Sequence, residues 1–560
     1  MIDETDGRCL KILILGGYGV FGGRLVHLLS NLPQLTLLVC GRSVAKAKVF
    51  CADYIGAAKT VPIALDRCDI TSALAEHNPD LVVDASGPFQ DYGSDRYRII
   101  DACIEAGVNY LDFADAADFV FGVSQFDERA RRAGVFVLSG VSSFPVLTAA
   151  VLREMASSMD IVSVEGGIAP SPFAGIGLNV MRAVVGYAGA PVELTREGKT
   201  GHGIGLAESR RYTVAVPGEL PLHNLRFSLV DVPDLQVLPP EHPTLADIWM
   251  GAGPVPESLH RVLNVLAKAR ATLGMPSFEP FSRLFYVVLN LMKFGEHRGG
   301  MYVHARGVCN GVTVERSWHL LAEGDDGPFI PSMAIEAIVR KLLRGEVPSV
   351  GARAATRALD LADYEELFAG RTIKTGFREE GHCGPLYRQV LRSAFDLLPP
   401  SIRQLHDSSS PRSWSGKADI TRGRGLVARL IAGIVGFPKG GDDVPVTVAF
   451  SPTTSGELWT RTFGTRRFSS FQSVGAGRNR HLLVERFGIA TFALALVVEG
   501  SRLMLIPRRW SVLGIPMPSF LLPRGNSFEA EIDGQFRFDV TITVPWVGRI
   551  VAYRGALSPN

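Results

Sequence analysis

Paired cysteines are missing from this 560-residue sequence. Its seven cysteines (Cys9, Cys40, Cys51, Cys68, Cys103, Cys309 and Cys383) are scattered, odd in number and without a Cys-x-x-Cys pair. That argues against a disulfide framework or zinc knuckle and for a reducing compartment. Long uncharged apolar runs are missing too, so no membrane-spanning helix is expected. The opening Met1-Ile2-Asp3-Glu4 is acidic where a secretory signal would be basic, and a cytoplasmic location is expected. No Gly-x-Ser-x-Gly elbow occurs, which removes the basis for serine-nucleophile hydrolysis.

What is present is the composition of a folded chain: 46% hydrophobic, 20% charged and 9% aromatic. The length implies about three or four domains, and there is enough apolar material for more than one core. The net charge of +2 conceals a division. Residues 384–560 hold 22 Lys+Arg against 12 Asp+Glu, only two of the cations being lysines (Lys417 and Lys439); residues 1–383 hold 36 against 44. A basic region of this kind attracts phosphate-bearing partners such as a membrane surface. An arginine-favouring genome is the competing explanation. No nucleic-acid-binding motif occurs, and the aromatics read as core residues, so no nucleic-acid partner is expected.

The first 140 residues alternate strand and helix patterns. Residues 11–15 form a continuous apolar run, as a strand buried on both faces should. Residues 35–39, 80–84 and 135–138 read as further strands, and residues 24–30 and 97–106 as helices. This rhythm predicts a parallel sheet with helices on both faces. Residues 141–383 read as an α+β substrate or dimerisation domain. It contains a glycine-rich loop at 198–205, an apolar helix at 281–294 and an amphipathic helix at 332–343 that packs back on the first sheet. Gly381-His382-Cys383-Gly384-Pro385 reads as a linker. Residues 384–560 open with a helix at 386–398 and then alternate with period two. Phe536, Phe538, Val540, Ile542 and Val544 share one face, opposite a partner strand at 528–532 across Asp533-Gly534. Residues 491–498 and 502–506 pair likewise. The expectation is an α+β domain with a curved antiparallel sheet.

Gly16-Gly17-Tyr18-Gly19-Val20-Phe21-Gly22 follows the first strand and opens a helix, the context in which Gly-x-Gly-x-x-Gly holds a dinucleotide. Its glycines permit the tight turn, the approach of backbone to a pyrophosphate and close helix–strand packing. The helix N-terminus offers free N–H groups to the phosphates. Arg42, 20 residues beyond Gly22 in Gly41-Arg42-Ser43, stands where NAD-binding chains carry a carboxylate. A guanidinium there can hold a 2′-phosphate through paired charge-assisted bonds, so the cofactor expected is NADP(H).

Ser86-Gly87-Pro88-Phe89 follows the third clear strand, with Tyr92-Gly93, Ala102-Cys103, Gly107 and Tyr110-Leu111-Asp112 after it. Together with the glycine loop and Gly41-Arg42-Ser43, this series resembles the saccharopine dehydrogenase-like reductases, well over residues 9–150 and more loosely to about 370. Residues 384–560 resemble an uncharacterised domain found fused behind such reductases. The resemblance implies a Rossmann-type doubly wound sheet and an NADPH-dependent oxidoreductase acting on a small molecule. It places Ser86, Gly87, Pro88 and Phe89 beside the nicotinamide ribose and ring, and Asp66 or Asp69 near the adenine. The charged constellation that grips a dicarboxylate substrate in true saccharopine enzymes has no counterpart here, and Gly140-Val141-Ser142-Ser143-Phe144-Pro145 departs from the related pattern.

Reduction of a carbonyl or imine also needs a proton. Candidate donors are Tyr92, Tyr110, Asp112 and Asp115. A helical turn would put Asp112 and Asp115 on one face, where paired carboxylates can hold one raised pKa; capping of a helix at 116–120 by Asp115 is the competing reading. Lys199 and His202 could reach a substrate phosphate or carboxylate, although a solvated mobile loop is the better explanation of them. His297 and His304 lack a third ligand, so no metal is expected. A curved sheet and helix could enclose an apolar cavity rather than a filled core. Residues 281–294, and 422–437 with Arg422, Arg424 and Arg429, could lie in an anionic interface. The expected substrate is therefore apolar or lipid-like, with peripheral membrane contact and a homodimer left open. The alternative function is a non-catalytic NADP(H)-binding sensor or lipid-binding scaffold.

Overall fold

Six strands near the N-terminus form a parallel sheet: β1 (Leu10–Leu15), β2 (Leu35–Gly41), β3 (Lys59–Ala64), β4 (Leu81–Asp84), β5 (Asn109–Asp112) and β6 (Phe136–Ser139). Their order is β3-β2-β1-β4-β5-β6, continued beyond β6 by the distant strand Gly351–Ala354. The apolar run of β1 is explained by its central place. Ile12 pairs with both Leu37 and Leu81, and Ile12, Leu13 and Ile14 are fully buried because helices cover both faces. The order reverses between β1 and β4, which opens a crevice at their C-terminal ends. This is the doubly wound arrangement expected.

The computed structural model describes residues 9–175, 177–253, 257–291, 293–379, 381 and 384–560. The acidic opening at residues 1–4, and His382 and Cys383 of the expected linker, lie outside the described residues. The chain divides into two compact units, Met1–Arg211 with Leu225–Thr375, and Tyr212–Asn224 with Gly376–Asn560.

In the first unit a second, mixed sheet places Asp160–Ala169 between Asp247–Ala252, parallel to it, and Arg298–Cys309, antiparallel to it. The latter continues into Val312–Glu323. Helix Ile330–Leu343 packs on α1 (Val20–Leu28), and Ser332 Oγ donates to the Phe21 carbonyl at 3.2 Å. Two local expectations are corrected here, for the glycine-rich loop and the apolar helix. The glycine-rich loop is a hairpin of Pro191–Arg196 and Lys199–Ile204, which leaves Lys199 and His202 exposed on a strand. The apolar stretch at 281–294 is a shorter helix, Ser282–Leu291, with Leu284, Val287 and Leu291 exposed. His297 and His304 pair with Asp325 and Glu315 at 3.1 and 3.2 Å. No helix among the described residues is long and apolar enough to cross a membrane.

The second unit is a closed barrel. Ten antiparallel strands run from Arg412–Arg422 to Gly548–Pro559, each hydrogen-bonded to the next, and the last pairs with the first (Trp414 opposite Pro559, Arg422 opposite Val551). Closure removes most of the exposed edge; a two-residue strand, Ile515–Pro516, pairs outside the ring with the end of Arg502–Val512. The hairpin at Asp533-Gly534 forms because both residues adopt positive φ, 53° and 72°, the hand that suits twisted strands. The alternation at 536–544 puts Phe536, Phe538, Val540, Ile542 and Val544 inside. The expected helix at 386–398 is Leu386–Leu391 with a 3₁₀ turn after it; this segment and Pro400–His406 bury Tyr387, Phe395, Ile402 and Leu405 in the barrel's core. The interior is not filled: a cavity of about 350 Å³ remains.

Candidate cofactor and catalytic site

The crevice beyond β1 and β4 is a cavity of about 770 Å³ within the first unit. The glycine loop forms its floor, and the structure explains each glycine locally. Gly16 has φ 72°, and a Cβ there would sit 2.5 Å from the Ala85 carbonyl oxygen. A Cβ on Gly17 would lie 2.9 Å from the Ile14 oxygen, and one on Gly22 would run into the Gly16 oxygen. Gly19 caps α1 without a side chain, so no side-chain oxygen covers the first-turn amides beside Val20 and Phe21. A small-residue cradle facing an uncapped helix start suits a pyrophosphate.

At the adenosine side, the Tyr18 ring lies where any side chain on Gly41 would be, and its hydroxyl accepts a 3.1 Å bond from the Ser43 amide. Ser43 Oγ in turn caps the next helix by accepting from Lys46 N. Tyr18 thus fixes the turn that presents Arg42 to the cavity. Asp66 lines the same end; the Cys68 amide and the nearby Arg42 and Arg67 charges hold its carboxyl below its ordinary pKa. Asp69 is exposed and is not among the lining residues, so of the two carboxylates considered for the adenine end the cavity takes Asp66. These residues fit a 2′-phosphorylated dinucleotide.

At the other end, Asp84 closes β4 and is buried. Its Oδ1 accepts from the Ser86 amide at 2.9 Å and the Ser86 hydroxyl at 2.5 Å. Ser86 Oγ lies 2.7 Å from the Tyr92 hydroxyl. Burial raises the pKa of Asp84, and burial with the Asp84 charge raises that of Tyr92, which keeps the phenol protonated at neutral pH. Ser86, Gly87, Pro88, Phe89 and Tyr92 all line the cavity. Phe89 packs edge-on against Phe119, which sets the course of the loop.

Asp112 and Asp115 do not share a helical face. Asp112 ends β5 fully buried, its Oδ1 bound by the Ala114 and Gly140 amides at 2.9 and 2.7 Å, and burial pushes its pKa up to about 7. It ties two strand ends together and does not line the cavity. Asp115 does, and accepts from Gln90 Nε2 at 3.1 Å. It is not a cap: the helix Ala117–Gly122 starts from Ala116 with no side-chain capping bond. Tyr110 is buried away from the cavity.

Sequence reasoning missed Arg67. Its guanidinium lies 3.8 Å from the Tyr92 ring centroid and reaches the Asp95 and Arg96 carbonyls. In Asp66-Arg67-Cys68-Asp69, with acidic residues on both sides, it reads as a solvated loop residue. It also missed Gly177, Leu178 and Val180, which wall the crevice from the second sheet's side; no local signal marks them.

Residues 12–138 match the saccharopine dehydrogenase NADP binding domain. The first sheet is an NADP-binding domain of that type. Residues 398–557, which include nearly all of the barrel, match a domain of unknown function, DUF4166. A carboxyaminopropylagmatine dehydrogenase of Synechocystis sp. is 32% identical over 148 residues, which are 25% of this chain and 35% of that protein. The chain thus spans about a third of that relative's length. Among solved structures, an amine dehydrogenase from Mycobacterium smegmatis is similar over 63% of this chain and 96% of its own, at 11% identity and TM-score 0.31. A DAP dehydrogenase from C. glutamicum is similar over 62% and 94%, at 12% identity and TM-score 0.33.

Proposed function

We propose that this chain is an NADPH-dependent oxidoreductase that reduces a carbonyl, imine or activated double bond of an apolar, lipid-like small molecule. When bound, NADPH supplies the hydride. The glycine loop and the start of α1 hold the diphosphate, and Arg42 holds the 2′-phosphate. Ser86–Phe89 support the nicotinamide end. The observation that carries the reading is the chain Tyr92–Ser86–Asp84 on the wall of the NADP-binding crevice.

The proton follows from that chain. With Asp84 ionised, the Ser86 hydroxyl donates to the carboxylate, and Tyr92 must donate to Ser86. With Asp84 protonated, it donates to Ser86 Oγ, Ser86 donates to the Tyr92 oxygen, and the phenol proton is released towards the substrate. Tyr92 then protonates the oxygen or nitrogen that gains charge as hydride arrives, and the carboxyl restores the phenol through Ser86. Asp115 is a positioning group beside this end.

The apolar nature of the substrate is supported by the barrel's apolar cavity. Peripheral contact with an anionic membrane is supported by one end of the barrel. There Leu426, Leu430, Ile434, Leu513, Phe520 and Trp546 are exposed, Leu426 and Trp546 by more than four-fifths, in the same region as the exposed cations Arg424, Arg429, Lys439, Arg466, Arg467 and Arg549. The reading includes a cytoplasmic location. The test is NADPH oxidation by the full chain with a natural lipid extract. Consumption matched by a reduced product is expected. Tight NADPH binding without consumption would make the chain an NADP(H) sensor or lipid-binding scaffold instead.

A further inference from the structure

The barrel's cavity is not uniformly apolar. Three adjacent strands, Gly456–Phe463, Arg466–Val474 and Leu483–Phe487, bring Arg461, Gln472 and Glu485 to one patch of its wall. Arg461 is already engaged: its guanidinium reaches Ser470 Oγ at 2.7 Å and Glu485 Oε1 at 3.2 Å and lies 4.8 Å from the Trp459 ring centroid. Gln472 Nε2 donates to Glu485 Oε1 at 3.1 Å. Gln472 Oε1 has no hydrogen-bond partner among the described residues, although the side chain is 1% exposed. A second carboxylate, Glu529, lines the cavity and is held at 2.6 Å by His406 Nε2 from the helix Pro400–His406. Most of the remaining lining is aromatic and aliphatic, including Phe450, Phe492, Phe538, Leu494 and Val540.

An acceptor buried without a donor costs about 1–3 kcal/mol, and the carboxylates on this wall offer further acceptor oxygens. On this patch Arg461, Ser470 and Gln472 donate to Glu485, and His406 holds Glu529. A ligand whose polar end brings its own N–H or O–H groups completes the patch. A ligand ending in a carboxylate meets Glu485 and Glu529 at close range in a poorly screened interior. The volume lies in the range that holds one small-molecule ligand, and a ten-stranded closed barrel is wide enough to leave such space.

We propose that the barrel binds one long-chain amphiphile whose polar end is a hydrogen-bond donor, a hydroxyl or an amine, seated against Gln472 and Glu485, with its chain along the apolar wall. The proposal rests on the reading of the barrel as the site of an apolar molecule and not on the redox reading. Its test needs no NADPH, so either can fail without the other.

The test uses the full chain loaded with the neutral dye N-phenylnaphthylamine, displaced by dodecanol, dodecylamine or dodecanoate. Dodecanol and dodecylamine should displace the dye at least about tenfold more tightly than dodecanoate, a difference of about 1.4 kcal/mol. Gln472→Leu should weaken dodecanol about tenfold and leave dodecane binding unchanged. Val540→Trp, which fills the chain's path while leaving the patch intact, should abolish displacement by all three, with folding checked by circular dichroism. Dodecanoate binding as tightly as dodecanol would overturn the donor assignment while keeping an apolar site. Failure of every probe to displace the dye, or displacement that survives Val540→Trp, would overturn the site itself.

Discussion

The Tyr92 hydroxyl stands 2.7 Å from the Ser86 hydroxyl, which in turn donates to a carboxylate with almost no access to solvent. Once burial has led that carboxyl to take up a proton the chain reverses, and the phenol at its mouth can be refilled from the protein side after it gives up its own proton. Arg67 lies against the ring and keeps it in place through cation–π attraction. The arrangement belongs to the segment 84–92, which leaves a strand at the switch point of the sheet. Proton chemistry is thus carried by the same loop that walls the cofactor crevice.

Removal of the phenol should separate binding from chemistry. Tyr92→Phe keeps the ring, the contact with Arg67 and the packing on Phe89. Turnover is expected to fall about 10²–10⁴-fold, the usual loss for a general acid, with the dissociation constant of NADPH unchanged. Stopped-flow turnover with fluorescence titration of the cofactor checks both.

Arg42 should set cofactor choice. Charge-assisted hydrogen bonds contribute about 1.5–3 kcal/mol, so Arg42→Ala should weaken NADPH about 10- to 150-fold and NADH hardly at all. Calorimetric titration of both cofactors into wild type and variant measures this. Equal losses for the two would remove Arg42 from the 2′-phosphate.

Crowding at the glycine loop should appear as lost cofactor binding together with lost stability. Gly22→Ala drives a methyl into the Gly16 carbonyl, an atom of the backbone that cannot swing away. The expected cost is about 1–3 kcal/mol of unfolding free energy, with NADPH affinity reduced at least tenfold. Denaturant titration and cofactor binding check the two effects separately.

Stability should fall as pH rises from about 4 to 7. Asp112 and Asp234 are buried carboxyls, each raised to about 7 in the folded chain by desolvation. Between their unfolded and folded pKa values the folded state binds more protons, so their stabilising effect is complete at low pH and lost as pH climbs through the folded values. Asp112→Asn retains a carbonyl oxygen for the Ala114 and Gly140 amides and should flatten part of this slope. The remainder belongs to Asp234 and to the other carboxyls that burial raises, Asp84 and Asp115 among them. Unfolding free energies across the pH range provide the measurement.

These expectations also mark where the sequence was readable. The need for glycine at 16, 17 and 22 arises from atoms within a few residues, plus Ala85, and the motif announces it. The hairpin at Asp533-Gly534 and the alternation at 536–544 are equally local. Closure of the barrel was not legible, because it depends on Trp414–Arg422 meeting the final strand across more than a hundred residues of sequence. The same holds for Gly351–Ala354 joining β6. At the site, spacing placed Asp112 and Asp115 together, but a strand end and a following loop send one into the core and the other into the crevice. Arg67 was hidden because its role depends on Tyr92, 25 residues away, and not on its neighbours.

The most direct measurement follows the hydride itself. The full chain is incubated with NADPH deuterated at one face of the nicotinamide ring and with a natural lipid extract, then with NADPH deuterated at the other face. Extracted products are compared by mass spectrometry. One face should deliver its label to a carbon of an apolar product, with Tyr92→Phe losing that transfer. Label that stays in the cofactor with both faces, in protein that binds NADPH tightly, would contradict the oxidoreductase reading.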